Sequence, residues 1–394
     1  TVFSGKPFEY SPADPPSCLR RRKGRGLGET VMRKMLEYQS DRIEAVLSQH
    51  KVSGRVTGGT VTPRWIRFKV LPSIGAKISR IKGLSEELAA ALDAPSCRVA
   101  RQGAAVMVEV PRENAQPVRL LPLLEHLDEI PPVTATLGIA DDGAPLLIRL
   151  PSADVAHILV AGTTGSGKTA LLRTMILSLA WAHPSPRDLS LVLIDPKSRA
   201  FADLEELPQL ARPVVVNGDE AAEALSSLVR LMERRDAMRE SKPPVVVVID
   251  EMVDLMMTDG SRGKDRPSIE TLVTRLVQRG REAGIHIVAA TQKPTAAVIG
   301  SLVKANFPVR MVGKVSSAND ARVAAGWSGT GAERLLGKGD FVAVAEGKVH
   351  RFQAAFITPD EVASVVRSLR EEAVLPLATR DRSAPIYAGR SLTT

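Results

Sequence analysis

The sequence is poor in cysteine and in long apolar runs, and each shortage excludes a class of protein. Its two cysteines, Cys18 and Cys97, have no metal-site spacing. This excludes a disulfide framework and a zinc module and favours two reduced thiols. No apolar stretch reaches the roughly 18 residues of a membrane-spanning helix, and no signal-peptide pattern is present. We therefore expect a cytoplasmic protein with no membrane span in this chain.

Aromatic residues are also scarce, at 4%, whereas apolar residues make up 44% of the 394 residues. This balance predicts two or three folded domains with aliphatic cores. Lysine and arginine number 53 against 44 aspartate and glutamate, a net charge of +9. Such an excess favours a polyanionic partner, because neutralised phosphates release their counterions. An arginine-rich proteome would give the same charge, so composition leaves both interpretations open.

Changes in composition divide the chain into four segments. Residues 1–27 are rich in proline and glycine and contain the basic cluster Arg20–Lys23. They indicate a flexible basic arm, either a phosphate-contacting tail or a solvated leader. We expect a small α+β module over residues 28–135 and a larger α/β domain over 136–375. The last segment, 376–394, lacks periodicity and is expected to be a loose tail.

The small module combines helix and strand patterns. Apolar residues recur every three or four positions over Glu29–His50, which predicts a helix. The other predicted elements are a helix over 85–93 and strands over 54–62, 64–70, 97–100 and 104–110. Arg67 and Lys69 alternate with apolar neighbours, so we expect both charges to point to solvent.

Strands and helices alternate through the larger domain, as in a doubly wound parallel sheet. The predicted strands are 157–161, 190–195, 214–216, 245–250, 285–290, 309–315 and 340–345. The predicted helices are 169–182, 219–241, 268–283, 318–325 and 360–372. The larger domain is therefore expected to be of the α/β class.

The most informative motif is a glycine-rich loop between a predicted strand and a predicted helix. It consists of Gly162, Thr163, Thr164, Gly165, Ser166, Gly167, Lys168 and Thr169. This is the G-x-x-x-x-G-K-[ST] pattern in its required context. The glycines let the backbone wrap tightly and aim its N–H groups at phosphate oxygens. Lys168 would bridge the β- and γ-phosphates and the Thr169 hydroxyl would bind Mg²⁺, so we predict a nucleoside triphosphate site.

A second strand end supplies two carboxylates to the same site. The apolar run 245–249 ends in Asp250 and Glu251. A buried parallel strand is continuously apolar, and its carboxyl end faces the ligand crevice. We predict that Asp250 holds the Mg²⁺ shell and that Glu251 polarises the attacking water.

Two other strands also end in polar groups. After the strand 285–290, Gln292 or Thr291 is predicted to sense the γ-phosphate or to orient water. The alternative is that this residue has only a structural role and caps the turn that follows the strand. Asp195 and Lys197 close another strand at the same edge. They are expected near the site, with an internal salt bridge as the alternative.

As a set, these residues resemble the FtsK/SpoIIIE DNA translocases, a family of hexameric double-stranded-DNA pumps with a RecA-like motor. The matching segments are His157–Thr169, Leu193–Lys197, Val246–Glu251, Arg281–Pro294, Ile299–Ser317 and Gly331–Asp340. The preceding module resembles the family's α subdomain at Gly75–Ala89 and Ala94–Arg98. The resemblance implies a RecA-like P-loop ATPase motor with a parallel sheet, preceded by a small α+β domain.

The resemblance also implies partners and roles. The motor would form a homo-oligomeric ring, expected to be a hexamer, and would pump double-stranded DNA through a central channel. ATP and Mg²⁺ would be its cofactors, with ATPase roles for Lys168, Thr169, Asp250, Glu251 and Gln292. The DNA-contacting candidates lie in the loops 198–204 and 257–267 and are Arg199, Arg262, Lys264 and Arg266. An ordinary charged loop is the alternative for the second of these segments.

A ring ATPase places an arginine across the subunit interface, where it stabilises transition-state charge. The candidates are Arg279, Arg281, Arg310 and Arg322. We carry Arg281 and Arg310 forward as predicted catalytic residues, although the sequence does not choose among the four.

The chain departs from chromosome-segregating members of the family. It shows neither their transmembrane helices nor a C-terminal segment long enough for their winged-helix module. We therefore leave the biological setting open as chromosome, plasmid or phage DNA movement. The alternative functions are an FtsK-like ATPase of protein secretion, a conjugative coupling ATPase and a DNA-packaging motor.

Overall fold

The computed structural model describes residues 2–4, 27–62, 64–113, 115–127, 129–257, 267–292 and 306–374. The chain divides into two compact units, residues 7–117 and residues 1–6 with 118–394. This division lies earlier than the boundary near residue 135 expected from the sequence. The reason is that the Leu120 N–H donates to the Phe356 carbonyl at 2.9 Å and the Phe356 N–H donates to the Val118 carbonyl at 2.7 Å.

The smaller unit is an α+β module. Its helices are α1 (Leu27–Gln49), α2 (Ile78–Gly83) and α3 (Ser85–Ala91). Its strands are β2 (Gly54–Val61), β3 (Trp65–Pro72), β4 (Arg98–Gln102) and β5 (Ala105–Pro111). The strands form an antiparallel sheet in the order β2-β3-β5-β4. Apolar side chains of α1, α2 and α3 pack with those of the sheet into one aliphatic core around Phe68. The predicted elements are therefore present, and α2 is an addition.

The expectation that Arg67 points to solvent is wrong. Arg67 is buried and its Nε donates to Glu109 Oε1 at 3.1 Å. Arg67 on β3 lies directly opposite Glu109 on β5, so the two charges are paired across the ladder. The single-strand pattern does not reveal a partner on another strand, whereas Lys69 is exposed as expected.

The larger unit is built around one sheet. Among the described residues its strands are β1 (Val2–Ser4), β6 (Thr134–Ala140), β7 (Pro145–Arg149), β8 (Ile158–Ala161), β9 (Ser190–Ile194), β10 (Val245–Ile249), β11 (Ile285–Thr291), β12 (Val309–Val312), β13 (Asp340–Ala345) and β14 (Lys348–Ala354). The helices are α4 (Leu120–Glu125), α5 (Lys168–Ala182), α6 (Gly218–Met238), α7 (Met252–Met257), α8 (Ile269–Arg279), α9 (Ala318–Ala325) and α10 (Pro359–Val374).

The sheet has a parallel half and an antiparallel half. Its strand order is β1-β7-β6-β14-β13-β12-β8-β11-β10-β9. Neighbours from β12 to β9 pair in parallel. Neighbours from β13 to β1 pair antiparallel, and β13 also joins β12 in antiparallel register. We use parallel half for β12, β8, β11, β10 and β9, and antiparallel half for the other five strands.

The parallel half follows from its apolar runs. Every residue of β8, β10 and β11 is buried, as expected for strands covered on both faces. Helices α6 and α8 pack their buried apolar faces against β10 and β11 in one cluster that includes Leu225 and Leu276. The predicted α/β class is thus confirmed, but the sheet is mixed, whereas a parallel sheet was expected.

One predicted strand is absent. Residues 214–216 contribute only an isolated parallel bridge, between Val215 and Ile194 of β9. None of the described helices is both long enough and apolar enough to cross a membrane.

Candidate nucleotide-binding site

The glycine-rich loop 162–169 connects the end of β8 to the start of α5, at the carboxyl edge of the parallel half. Gly162, Gly165 and Gly167 have φ angles of 153°, 78° and 103°, a region that side chains with a Cβ rarely adopt. A Cβ on Gly167 would lie 2.6 Å from the Gly339 nitrogen, and one on Gly162 would lie 2.8 Å from Ser166 Oγ. At Gly162 and Gly167 glycine is therefore favoured by close packing as well as by φ, whereas at Gly165 it is favoured by φ alone.

The loop ends where α5 begins, so the helix N-terminus points at the loop. Gly167 caps α5 without a side-chain hydrogen bond. The first N–H groups of a helix are unsatisfied by the helix itself and form an anion-binding site. Ser166 Oγ is buried and has no hydrogen-bond partner among the described residues, which leaves one more polar atom for a ligand. These features fit the phosphates of a nucleotide.

Lys168 is buried at the end of the glycine-rich loop. Its Nζ donates to the carbonyl oxygens of Gly162 at 2.7 Å and of Thr163 at 3.1 Å. Burial lowers the pKa of Lys168, and the carboxylates of Glu251 and Asp250 oppose that shift. An ammonium held among backbone carbonyls and close to carboxylates is a suitable donor for phosphate oxygens.

The predicted metal ligands are brought together. Thr169 Oγ1 donates to Asp250 Oδ1 at 3.1 Å. Burial raises the pKa of Asp250, and the hydrogen bond from Thr169 opposes that shift. A hydroxyl and a carboxylate oxygen at this distance are hard oxygen donors of the kind that Mg²⁺ prefers. The pair therefore fits a magnesium ion that also contacts the phosphates.

Glu251 and Gln292 meet where β10 and β11 end side by side. The Gln292 N–H donates to both carboxylate oxygens of Glu251, at 3.2 Å and 3.1 Å. Glu251 is 2% exposed, and burial raises its pKa, although hydrogen bonds from Gln292 and Thr291 reduce the shift. Gln292 Oε1 in turn accepts a hydrogen bond from Thr164 Oγ1 at 3.0 Å. The Gln292 side chain therefore links the glycine-rich loop to the end of β11.

Asp195 and Lys197 have different roles in the structure. Asp195 is fully buried and its carboxylate accepts N–H groups of Lys197 and Ala200 at 3.2 Å and 2.6 Å, so it shapes its own loop. Lys197 Nζ lies 2.7 Å from Asp254 Oδ2 on α7. That pairing raises the pKa of Lys197, with smaller effects from Glu251 and Asp250. Sequence analysis missed Asp254 because it lies inside a helix and belongs to no motif.

The four candidate arginines lie in different surroundings. Arg310 on β12 is buried, its Nε donates to the Phe307 carbonyl at 3.4 Å, and burial lowers its pKa. Arg281 is exposed before β11, at the amino edge of the sheet, and pairs with Glu282. Arg279 pairs with Asp236 at 2.6 Å, and exposed Arg322 contacts Asn319 at 3.0 Å. None of these contacts joins an arginine to the glycine-rich loop of the same chain.

Of the predicted DNA contacts, only Arg199 can be placed. It is exposed in the loop that follows β9, at the same edge of the sheet as the glycine-rich loop. Arg262, Lys264 and Arg266 lie outside the described residues.

Two family descriptions match the chain. The FtsK/SpoIIIE family matches residues 128–242 and 236–296, and the FtsK alpha domain matches residues 17–112. The chain is 33% identical over 370 residues to a protein named DNA translocase FtsK from Sporosarcina ureae. It is 34% identical over 369 residues to one of the same name from Caldanaerobacter subterraneus. The alignments cover 86% of this chain but 46% and 50% of the relatives, so the chain spans about half their length.

Solved structures share the fold at lower identity. The pCW3 conjugation coupling protein TcpA, solved with ATPγS, superposes with a TM-score of 0.58 at 20% identity. That match covers 84% of this chain and 99% of TcpA. The type VII secretion ATPase EccC of Thermomonospora curvata gives a TM-score of 0.54 at 23% identity over 64% of this chain and 34% of EccC. The larger unit thus has the fold of P-loop ATPase motor domains, and the chain belongs to the FtsK/SpoIIIE family.

Proposed function

We propose that this chain is the motor of an ATP-driven double-stranded-DNA translocase that works as a homo-oligomeric ring in the cytoplasm. A hexamer is the expected assembly. One observation carries the ATPase part: the glycine-rich loop, the Thr169–Asp250 pair and Glu251 converge at one edge of the sheet. The relatives named DNA translocase FtsK support the DNA part.

The chemistry assigns a separate task to each group. Backbone N–H groups of the loop and the Lys168 ammonium bind the phosphates of ATP. A Mg²⁺ ion held by Thr169 and Asp250 would neutralise phosphate charge as the terminal bond breaks. Glu251 orients a water molecule and accepts its proton as the water oxygen attacks the γ-phosphorus and ADP leaves. Its raised pKa makes it a stronger base than an exposed carboxylate.

Gln292 is suited to report the state of the nucleotide to Glu251. Its backbone N–H donates to Glu251 while its side chain contacts Thr164 in the phosphate-binding loop. A γ-phosphate that displaces the Thr164 contact would free the Gln292 amide for the phosphate or for water. This assignment fits the sensor role predicted from the sequence.

The trans arginine and the DNA contacts complete the proposal. Arg281, exposed at the amino edge of the sheet, is available to a neighbouring subunit, whereas Arg310 would act from a buried position. Arg199, together with Arg262, Lys264 and Arg266, would contact the DNA backbone. Contacts to phosphates predict weak sequence preference and an affinity that falls steeply with salt.

The decisive experiment measures steady-state ATPase activity of the purified chain alone and with double-stranded DNA, single-stranded DNA or peptides. We expect double-stranded DNA to raise the rate severalfold and Lys168→Ala to abolish it. Lys69→Ala, which removes an exposed lysine in the smaller unit, is the matched control and should keep the stimulated rate.

Two results would overturn parts of the proposal. If duplex DNA does not change the rate of ATP hydrolysis, the proposed translocase function is wrong, but the proposed ATPase activity stands. Stimulation by a peptide instead of DNA would favour the secretion ATPase considered from the sequence. The likeness to TcpA and EccC shows only a shared fold, and it favours neither the translocase function nor the secretion function.

A further inference from the structure

A short loop from the antiparallel half contacts the phosphate-binding loop through its backbone. This clamp loop, residues 336–339, connects the 3₁₀ turn 332–334 to β13. The Lys338 N–H donates to the Gly165 carbonyl at 3.0 Å, and the Gly339 N–H donates to the Ser166 carbonyl at 2.8 Å. Two successive carbonyls of the phosphate-binding loop are thus fixed from outside.

Fixing these carbonyls determines where the neighbouring amides point. The N–H and C=O groups of one peptide plane point in opposite directions. When the Gly165 and Ser166 carbonyls face the clamp loop, the N–H groups of Ser166 and Gly167 face away from it. The Gly167 N–H is therefore directed away from the clamp loop, as an amide that joins a concave anion-binding array would have to be. The clamp loop thus affects the orientation of amides in the glycine-rich loop through these carbonyls.

The two loops approach closely enough to exclude a Cβ at Gly167 and to crowd one at Gly337. A Cβ on Gly167 would meet the Gly339 nitrogen at 2.6 Å, and a Cβ on Gly337 would meet the Gly165 carbonyl at 3.3 Å. Gly337 and Gly339 have φ angles of 77° and 88°. The clamp loop therefore has a conformation that must be held in place by other groups.

Asp340, the first residue of β13, holds the clamp loop. Its Oδ2 accepts the Leu336 N–H at 3.0 Å. Both carboxylate oxygens also accept from Arg351 on β14, Oδ1 from Nε at 3.0 Å and Oδ2 from Nη2 at 2.8 Å. Asp340 is 2% exposed and Arg351 is 8% exposed, so this bidentate pair is shielded from water. Gln353 adds a bond from its Nε2 to the Lys338 carbonyl at 3.1 Å.

We propose that Asp340 and Arg351 are positioning residues for nucleotide binding, acting through the clamp loop on the carbonyls of Gly165 and Ser166. This inference rests on the proposed function, because it requires that the glycine-rich loop binds ATP. It assigns the antiparallel half a part in the site, namely to keep the phosphate-binding loop in its bound shape before ATP arrives. Preorganisation of this kind lowers the cost of binding.

The test compares two variants, each of which replaces the acidic residue of a buried ion pair with its neutral amide. Asp340→Asn keeps the shape of the side chain and removes its charge beside Arg351. Glu109→Gln does the same to the pair with Arg67 in the smaller unit and serves as the matched control. For each variant, full-length protein is assayed for thermal unfolding, for the Kd of a fluorescent ATP analogue, and for KM and kcat of ATP hydrolysis.

We expect both variants to lower the melting temperature, but only Asp340→Asn to weaken the binding of ATP. Its Kd and KM should rise roughly 10- to 100-fold, the scale of a misplaced binding group. Its kcat at saturating ATP should stay near the wild-type value, because Glu251 and Asp250 are untouched. A merely structural role would instead reduce the active fraction, which lowers kcat and leaves KM unchanged.

Gln353→Leu keeps the test decisive if Asp340→Asn does not fold. It removes the side-chain bond to the Lys338 carbonyl, together with a longer contact of 3.5 Å to the Ala354 carbonyl. It should raise the ATP Kd roughly threefold with kcat retained. A folded Asp340→Asn with wild-type Kd and KM would overturn the inference, and so would a wild-type Kd in Gln353→Leu when Asp340→Asn is unfolded. Failure of the wild-type chain to bind the analogue would overturn the proposed function instead.

Discussion

The parallel and antiparallel halves of the large sheet contribute to the candidate site in different ways. The parallel half supplies side chains: Lys168, Thr169, Asp250, Glu251 and Gln292 all follow the carboxyl ends of its strands. The antiparallel half supplies backbone N–H groups from residues 338 and 339, which fix carbonyls of the phosphate-binding loop. The side chains of the candidate site thus come from one half of the sheet, whereas the glycine-rich loop makes backbone contacts with both.

Strand direction explains the difference. Parallel strands place their carboxyl ends at a common edge, where the following loops form a crevice for ligands. In the antiparallel half, neighbouring strands end at opposite edges, so their loops do not converge in this way. A hairpin such as β13–β14 instead offers a rigid frame, here stabilised by the buried Asp340–Arg351 pair. Variants in one half of the sheet, compared with variants in the other half, can separate effects on catalysis from effects on the shape of the glycine-rich loop.

The largest expected effect is on Glu251, the carboxylate of the parallel half that we propose as the proton acceptor. Glu251→Gln should lower kcat for ATP hydrolysis by about 10²- to 10⁴-fold, since it removes the proton acceptor. Nucleotide binding should persist, because Lys168 and the loop are unchanged. The control is Glu361→Gln, which alters a carboxylate that accepts a backbone N–H of Thr358 at the start of α10. Normal turnover by Glu251→Gln, measured by phosphate release, would remove Glu251 from the mechanism.

The next effect concerns the amino edge of the parallel half, far along the strands from the site. His157 and His286 are buried, and burial lowers their pKa values to about 3 and about 4. Electrostatic coupling to His286 adds to the shift of His157. For His286, a hydrogen bond with the Ala156 carbonyl opposes the shift and Arg281 adds to it. A histidine whose pKa is lower in the folded state than in the unfolded state stabilises the fold above the unfolded-state pKa of 6.5. As the pH falls from 6.5 towards the folded-state pKa, the unfolded state binds more protons and this stability is lost. Between pH 7 and pH 5, His157 alone should remove about 2 kcal/mol of stability.

Replacing His157 tests this pH dependence. His157→Asn keeps an acceptor for the Ile287 N–H and cannot be protonated. The variant is expected to be less stable at pH 7, because it loses the packing of the ring near Phe307. Its free energy of unfolding should nevertheless fall less steeply from pH 7 to pH 5 than that of the wild type. Urea unfolding at the two pH values measures both slopes, and equal slopes would contradict the assignment.

A smaller effect is expected at the contact between the two halves. Gly167→Ala adds a Cβ 2.6 Å from the Gly339 nitrogen, at a φ of 103°. We expect the clamp loop to be displaced and the ATP Kd to rise about tenfold, equivalent to about 1.4 kcal/mol. Gly347→Ala is the control, because it has a φ of 70° but, apart from its chain neighbours, no described residue has an atom within 4 Å of the added Cβ. If both variants bind ATP equally well, the close contact does not matter for binding.

The smallest effect is expected at the Lys197–Asp254 pair of the parallel half. Its side chains are 42% and 36% exposed, so water screens the attraction. Asp254→Asn should change the free energy of unfolding by less than about 1 kcal/mol. Asp340→Asn, which breaks a buried pair in the antiparallel half, should cost about 3 kcal/mol or more. Chemical denaturation of the two variants compares the pairs directly, and equal losses would show that burial is not the deciding factor.

The sequence by itself determined the parallel half and the composition of its site. Continuous apolar runs such as Val245–Ile249 require burial on both faces, and this requirement identifies a parallel strand without knowledge of its neighbours. The polar residues at the ends of these runs, Asp250 and Glu251, therefore follow from local sequence. The glycine-rich loop is equally local, because its glycines, lysine and threonine are consecutive.

Only the tertiary structure decided how distant segments pair. Strand β14 has an exposed start and a mixed burial pattern, which does not distinguish it from a loop before β13 and β6 are known. The partners of Arg67 and Asp340 lie on other strands, so a single-strand pattern gave no sign that these charges are paired. The physical reason is that burial and ion pairing depend on which strands become neighbours, a property that arises only when the whole sheet assembles.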